Sequence, residues 1–302
     1  MTVMPPRKRS SEKPTKATPA KPAADSAVAT RLFEQYWQNP DDKDVLRVWA
    51  DALAEQGDPR GELVHLSLIA QPTDEQREAR VALLKKAGGK LVGPAREFLR
   101  EWSFGSDGLV EAARAEADKV AAGIEAIGRV HPHLVLTITS LKKKPVIEAF
   151  SKISLERIYL VDFTSITGSH GGTPLSTRTL AAIAPALARV RHLALSCRGY
   201  ADDCFTPEGL LALGEACRAL EVLAIDYYQA GAGPYEDPAR PRLPPAEEYA
   251  RVIAESPGFA GLKALHLADV TPASLGPRAK IKLNRGPRPS RARELEALKR
   301  DP

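Results

Sequence analysis

Aromatic residues make up 6% of the 302-residue chain, and cysteine occurs only three times. So few rings fit an all-β sandwich poorly. Much of the 43% hydrophobic content is Ala and Leu, which suits helices and solenoids better. Cys197, Cys204 and Cys217 are odd in number and spaced neither as a CxxC redox pair nor as zinc knuckles, so they read as ordinary reduced thiols. No run approaches the roughly 20 apolar residues that a bilayer span requires. Arg7, Lys8 and Arg9 have the charge of a signal peptide, but no apolar stretch follows them. The expected location is therefore the cytoplasm.

The usual signs of chemistry are missing too. Gly88-Gly89-Lys90 runs into Leu91 instead of Ser or Thr, and no glycine sits five residues before Gly89, so it is no phosphate loop. The Gly-Ser-His-Gly-Gly run at 168–172 has no G-x-S-x-G elbow to supply a nucleophile and reads as an inserted loop. His131-Pro132-His133 lacks partners at metal-ligand spacing. The expectation is a protein without catalytic residues, metal or cofactor.

The formal charge of +5 is unevenly placed. Residues 1–30 carry six Lys/Arg against two acids, and residues 271–302 carry nine against three, so the middle of the chain is mildly acidic. A fold that grips nucleic acid shows its basic patch on the domain itself. Residues 1–26 and 271–302 are basic, Pro-rich and poor in large apolar residues, and they read as disordered tails. They leave one alternative role, neutralising phosphates of nucleic acid or another acidic surface, with Arg285–Arg293 the best basic run.

Residues 27–105 read as a helical module. Val28, Leu32, Phe33, Tyr36 and Trp37 follow helical spacing, as do Val45, Leu46, Trp49 and Leu53. Gly57 predicts a left-handed C-cap, Asp58 an N-cap and Pro59 a first helical position. Asp51 and Arg60 are expected to pair across that hairpin. From 106 to 270, short β-like runs alternate with helices, which argues for parallel strands joined by helical crossovers. The runs are Leu109–Ala115, His133–Thr139, Arg157–Val161, His192–Ser196, Val222–Asp226 and Ala264–Ala268.

Aligning these runs exposes a recurring L-x-x-L-x-L: Leu155/Ile158/Leu160, Val190/Leu193/Leu195, Leu220/Leu223/Ile225 and Leu262/Leu265/Leu267. Weaker copies are His131/Leu134/Leu136 and Val110/Ala113/Ala115, and successive starts lie 21, 24, 35, 30 and 42 residues apart. The pattern resembles leucine-rich repeats, which recur at about 20–29 residues, with insertions in the later copies. The ninth repeat position, where Asn or Cys would satisfy loop backbone, holds Phe163, Arg198, Tyr228 and Val270. The run Trp49–Leu63, with Asp51, Leu53, Glu55, Gly57, Asp58, Arg60, Gly61 and Glu62, resembles the bacterial repeat-companion domain that precedes degenerate leucine-rich repeats.

That resemblance implies an α/β architecture, in which the helical module caps a short curved leucine-rich-repeat solenoid of parallel strands and backing helices. It also implies an interaction role and no catalytic residues. The expected partner is a protein, held on the sheet face between the leucines. Arg157, Tyr159, Val161, His192, Ser196, Asp226 and His266 are the residues expected there, with Arg157 and Tyr159 as the anchor types.

Overall fold

The computed structural model describes residues 27–141, 143–164, 175–202, 204–229 and 239–267, with Val270, Leu275 and Lys282–Leu283. The tail 1–26, the run at 168–172, Ala268 and Arg285–Arg293 lie outside the described residues. Among those described, no helix is long and apolar enough to cross a membrane.

Helices α1 (Ala27–Gln38), α2 (Lys43–Ala54), α3 (Pro59–Ser67) and α4 (Asp74–Ala87) open the chain. Asp42 caps α2 by accepting from the backbone N–H groups of Asp44 and Val45, each at 3.1 Å. Gly57 has φ +71°, where an L side chain is strained, and it reverses the chain into Asp58, which caps α3 at Arg60 N. Thr73 and Gln76 form a reciprocal capping box at α4. Ala29, Phe33, Tyr36, Leu46, Trp49, Ala50, Leu53 and Val64 interlock as the module's core, with Phe33 and Trp49 rings 5.3 Å apart. The expected Asp51–Arg60 pair does not form. Asp51 meets His65 at 3.0 Å, while Arg60 folds back on its own cap, Asp58, at 2.7 Å and over the Trp49 ring.

The module ends in a strand. β1 (Glu101–Phe104) runs antiparallel to β2 (Val110–Glu116) around a turn in which Gly108 has φ +82°. The expected boundary at 105/106 therefore falls inside a hairpin. Six more strands follow in parallel, in sequence order: β3 (Val135–Thr139), β4 (Leu160–Asp162), β5 (His192–Gly199), β6 (Val222–Gln229), β7 (Ala264–Leu267) and β8 (Lys282–Leu283). The last lies within the segment expected to be a tail. Helices α5 (Ala117–Ile127), α6 (Lys144–Phe150), α7 (Thr177–Ile183), α8 (Pro207–Ala216) and α9 (Ala246–Glu255) connect the strands, each packed on the next. The architecture is α/β with a mostly parallel sheet.

The inner face of the sheet meets the helices through rows of apolar side chains in register. One row runs Ala113, Leu136, Val161, Leu193, Leu223 and Leu265. This row corrects the reading of β4. Val161 pairs with Leu193 and is fully buried in the core, whereas Leu160 pairs with His192 on the opposite face. The repeat unit here is Ile158-x-x-Val161-x-Phe163, not Leu155-x-x-Ile158-x-Leu160. Both spacings are present because Leu155, Ile158 and Val161 are evenly spaced, so only strand pairing can choose between them. Val161 is thus a core residue and not part of any binding face. The His131/Leu134/Leu136 copy also moves, by two residues to His133/Leu136/Ile138, since Leu136 pairs with Ala113 and Val161.

Two glycines of the helical hairpin carry different burdens. A Cβ on Gly57 would meet nothing within 4 Å, so only its backbone angle opposes substitution. A Cβ on Gly61 would sit 2.4 Å from Ala50 O and 2.8 Å from Ala54 N, forcing α2 and α3 apart. Gly57→Ala should cost about 1 kcal/mol of stability and Gly61→Ala about 2–3 kcal/mol in urea titrations of the full chain. Equal costs would mean that the two helices are not in close contact at Gly61.

Candidate functional site

The outer face of the sheet, away from the helices, carries its own rows. The first runs Ala112, Val135, Leu160, His192, Val222 and Ala264; the second runs Arg114, Thr137, Asp162, Ala194, Ala224 and His266. Ser196 and Asp226 pair one step further along. The face is not uniformly polar, because Val135, Leu160 and Ala194 form a small apolar cluster with Tyr159, Val222 and Ala224 against it. His192 is 9% exposed and Ser196 6%, and neither His192 Nδ1 nor Ser196 Oγ has a hydrogen-bond partner. Asp226 and His266 are partly exposed.

Tyr159 precedes β4 and stands between two imidazoles. Its ring centroid is 5.0 Å from His133 and 4.3 Å from His192, the latter edge to face. Burial pulls both imidazoles below the ordinary histidine value, so they are neutral near pH 7. The same burial raises the Tyr159 phenol. The result is a half-buried aromatic ridge on the outer face.

Arg157 does something other than the expected anchoring of a partner. Its guanidinium donates to both Glu34 oxygens, at 2.9 and 2.7 Å, and lies over the Trp37 ring at 5.2 Å. The hydrogen bonds to Arg157 hold the Glu34 carboxyl below its usual value. A planar fork paired bidentately and stacked on an indole ties α1 to the start of β4. Arg157 is a strap within the chain.

A second strap was not visible in the sequence. Asp107, in the β1–β2 turn, is buried and accepts from Tyr36 Oη at 3.2 Å and Leu109 N at 3.0 Å. His131 Nε2 lies 2.9 Å from the same carboxylate, and His131 Nδ1 accepts from the backbone N–H of His133 at 3.0 Å. That second bond assigns the ring proton to Nε2, so His131 donates to Asp107. Burial pushes the Asp107 carboxyl up, but the hydrogen bonds from His131 and from the backbone N–H of Leu109 outweigh it and hold the group well below the usual range. Tyr36 is pushed up, first by burial and then by the charge of Asp107. With both ring nitrogens engaged, His131 offers no lone pair to a metal or a substrate. Among the described residues, no group of three or more His, Cys, Asp or Glu could hold a metal ion.

The Tyr36–Asp107–His131 strap lines a cleft of about 180 Å³ between module and sheet. Tyr36, Lys43, Asp107, Glu111, His133 and Tyr159 are among its walls. Lys43 Nζ reaches Tyr36 Oη and Pro40 O at its rim, both at 3.4 Å. The sequence singled out His131, His133 and Tyr159 separately, but nothing local to Asp107 points to a partner 24 residues away.

Both straps are testable. A double-mutant cycle on Glu34→Ala and Arg157→Ala should return a coupling of about 0.5–1 kcal/mol, because each side chain is about a third exposed and solvent screens the pair. A coupling of zero would remove the strap. Asp107 has a lowered folded pKa, so its stabilisation is complete above the ordinary carboxylate value of about 3.9 and is lost as pH falls below it. Asp107→Asn should lower the melting temperature at pH 7 and make the decline between about pH 4 and 2 shallower. A mutant with an unchanged acid limb would contradict this.

Compared with known proteins, the chain matches no family model, no curated protein and no solved structure.

Proposed function

We propose that the chain is a non-catalytic protein-binding scaffold. In this reading its strand–helix units are a short, irregular leucine-rich-repeat array, and the N-terminal helices are a repeat-companion module that covers the array's first face. Two features support the array: strands paired in sequence order, and apolar rows repeating at L-x-x-L-x-L spacing. The antiparallel β1 and the Arg157 and Asp107 straps support the module's role as a cap, since they join it to the first strands.

The observation that carries the binding reading is the ridge of Tyr159 between His133 and His192 beside the 180 Å³ cleft. A cleft of that size falls below the roughly 300–1,000 Å³ typical of small-molecule sites and suits a single inserted side chain. Tyrosine is among the residues that most often dominate protein interfaces, because a rigid amphipathic ring contributes area at low entropic cost. Asp226 and His266 would form a polar rim further along the face. The strapped His131–Asp107 pair argues against proton transfer as the site's purpose, because the imidazole has no open position.

The test is affinity capture with the full-length chain. Tyr159→Ala should reduce capture of its partner at least tenfold, about 1.4 kcal/mol, with the melting temperature unchanged. Leu211→Ala, exposed on α8 at the helix side, should leave capture intact. If capture survives Tyr159→Ala and His192→Ala but fails on removal of residues 271–302 or at raised salt, the basic tails are the binding element and the ligand is an acidic surface or nucleic acid.

A further inference from the structure

We propose that the cleft beside Tyr159 is an arginine socket, which takes the guanidinium of one arginine side chain presented by a partner protein. The proposal rests on the scaffold reading, since the arginine belongs to the bound partner. Tyr36 and Tyr159 stand on the cleft walls, and so do three carboxylates, those of Asp41, Asp107 and Glu111. Lys43 opposes them, its ammonium 5.6 Å from the centre of the Tyr36 ring. The carboxylates outnumber it, so the field inside the cleft favours a further cation. Asp107 is already engaged by Tyr36, Leu109 and His131, and it acts through its charge. Asp41 is exposed and forms no ion pair among the described residues, so its oxygens are open to a donor.

The chain itself shows three times what a ring beside a carboxylate holds. Arg60 pairs with Asp58 at 2.7 Å and lies over the Trp49 ring at 5.9 Å. Arg157 pairs with Glu34 at 2.7 Å and lies over Trp37 at 5.2 Å. Arg240 pairs with Asp202 and lies over Tyr200 at 4.2 Å. In each case a planar guanidinium donates along its edge to the carboxylate while its face rests on the ring. A compact ammonium cannot do both as well. The cleft has the rings and the carboxylates, but no arginine stands on its walls.

Other cations fit less well. Among the described residues, no group of three or more His, Cys, Asp or Glu could hold a metal ion, whereas phenol rings suit an organic cation. At about 180 Å³ the cleft admits a side chain and not a helix or a strand. Arginine is also one of the residue types that dominate protein interfaces, and its usual counterparts there are tyrosines and buried carboxylates.

The probe is N-acetyl-arginine amide, titrated into the isotope-labelled full-length protein and followed by the backbone amide resonances. N-acetyl-lysine amide and the uncharged N-acetyl-citrulline amide are titrated beside it. The arginine probe should give saturable shifts of the Gly105 and Ser106 amides, both on the cleft wall. Binding should be about tenfold weaker for citrulline and about threefold weaker for lysine. Asp41→Asn should weaken the arginine probe about threefold, and Lys43→Met, which removes the opposing ammonium, should strengthen it by about the same factor. Both residues are exposed, and resonances away from the cleft verify that each variant keeps the fold. Equal binding of citrulline or lysine, shifts confined to other surfaces, or no change in either charge variant would each overturn the socket. The scaffold reading is judged separately. If Tyr159→Ala lowers partner capture but the arginine probe shifts nothing in the cleft, the socket falls and the scaffold stands. If the probe binds the cleft but Tyr159→Ala leaves capture intact, the scaffold reading falls and the preference for a guanidinium stands.

Discussion

Strand register decides nearly everything else in this molecule. The row Ala113, Leu136, Val161, Leu193, Leu223, Leu265 is apolar only when every strand sits at one offset, because a one-residue slip turns each side chain to the other face. Each strand and the helix that follows it bury their apolar side chains against the next strand and helix. Helices α5 to α9 pack sequentially on the same side for this reason. The arrangement also accommodates the uneven spacing of the strands along the chain. Inserted residues cost little while they leave the registered rows intact.

The N-terminal helices lead into β1, which pairs with β2 at one end of the sheet. The module's contact with the sheet mixes apolar and polar groups: Val92, Ala95 and Leu99 share the main core with Val110, Ala113 and Val120. β1 supplies backbone pairing, Glu34–Arg157–Trp37 supplies a charged and stacked strap, and Tyr36–Asp107–His131 supplies a buried one. Buried polar contacts of this kind contribute modestly to stability because desolvation offsets much of their attraction, but they penalise any other docking angle. They define the cleft wall that carries Tyr36 and hold it against the ridge that carries Tyr159.

The outer face is chemically uneven. Small residues, Ala112, Ala194, Ala224 and Ala264, floor it, and Tyr159 with its two neutral imidazoles rises at one end. His192 Nδ1 and Ser196 Oγ lie buried on β5 without partners, and such groups are few in folded proteins because each loses its hydration for nothing in return. Both sit on β5, facing away from the helices, and each costs the fold stability.

The amino-acid sequence by itself determined the elements. Gly57-Asp58-Pro59 specified a helix stop, a cap and a start, and the L-x-x-L-x-L runs marked six of the strands, because caps and side-chain periodicity act over a few residues. Tertiary structure alone decided which leucine-like residue of β4 faces inward, since Leu155, Ile158 and Val161 are evenly spaced and only pairing with Leu193 selects Val161. It alone turned Arg157 from a presumed anchor into a strap on Glu34, 123 residues away. It alone joined Tyr36, Asp107 and His131, three residues with no shared local pattern. Local rules are written in neighbouring side chains, whereas these contacts exist only after strands and helices have been brought together by burial of the apolar rows.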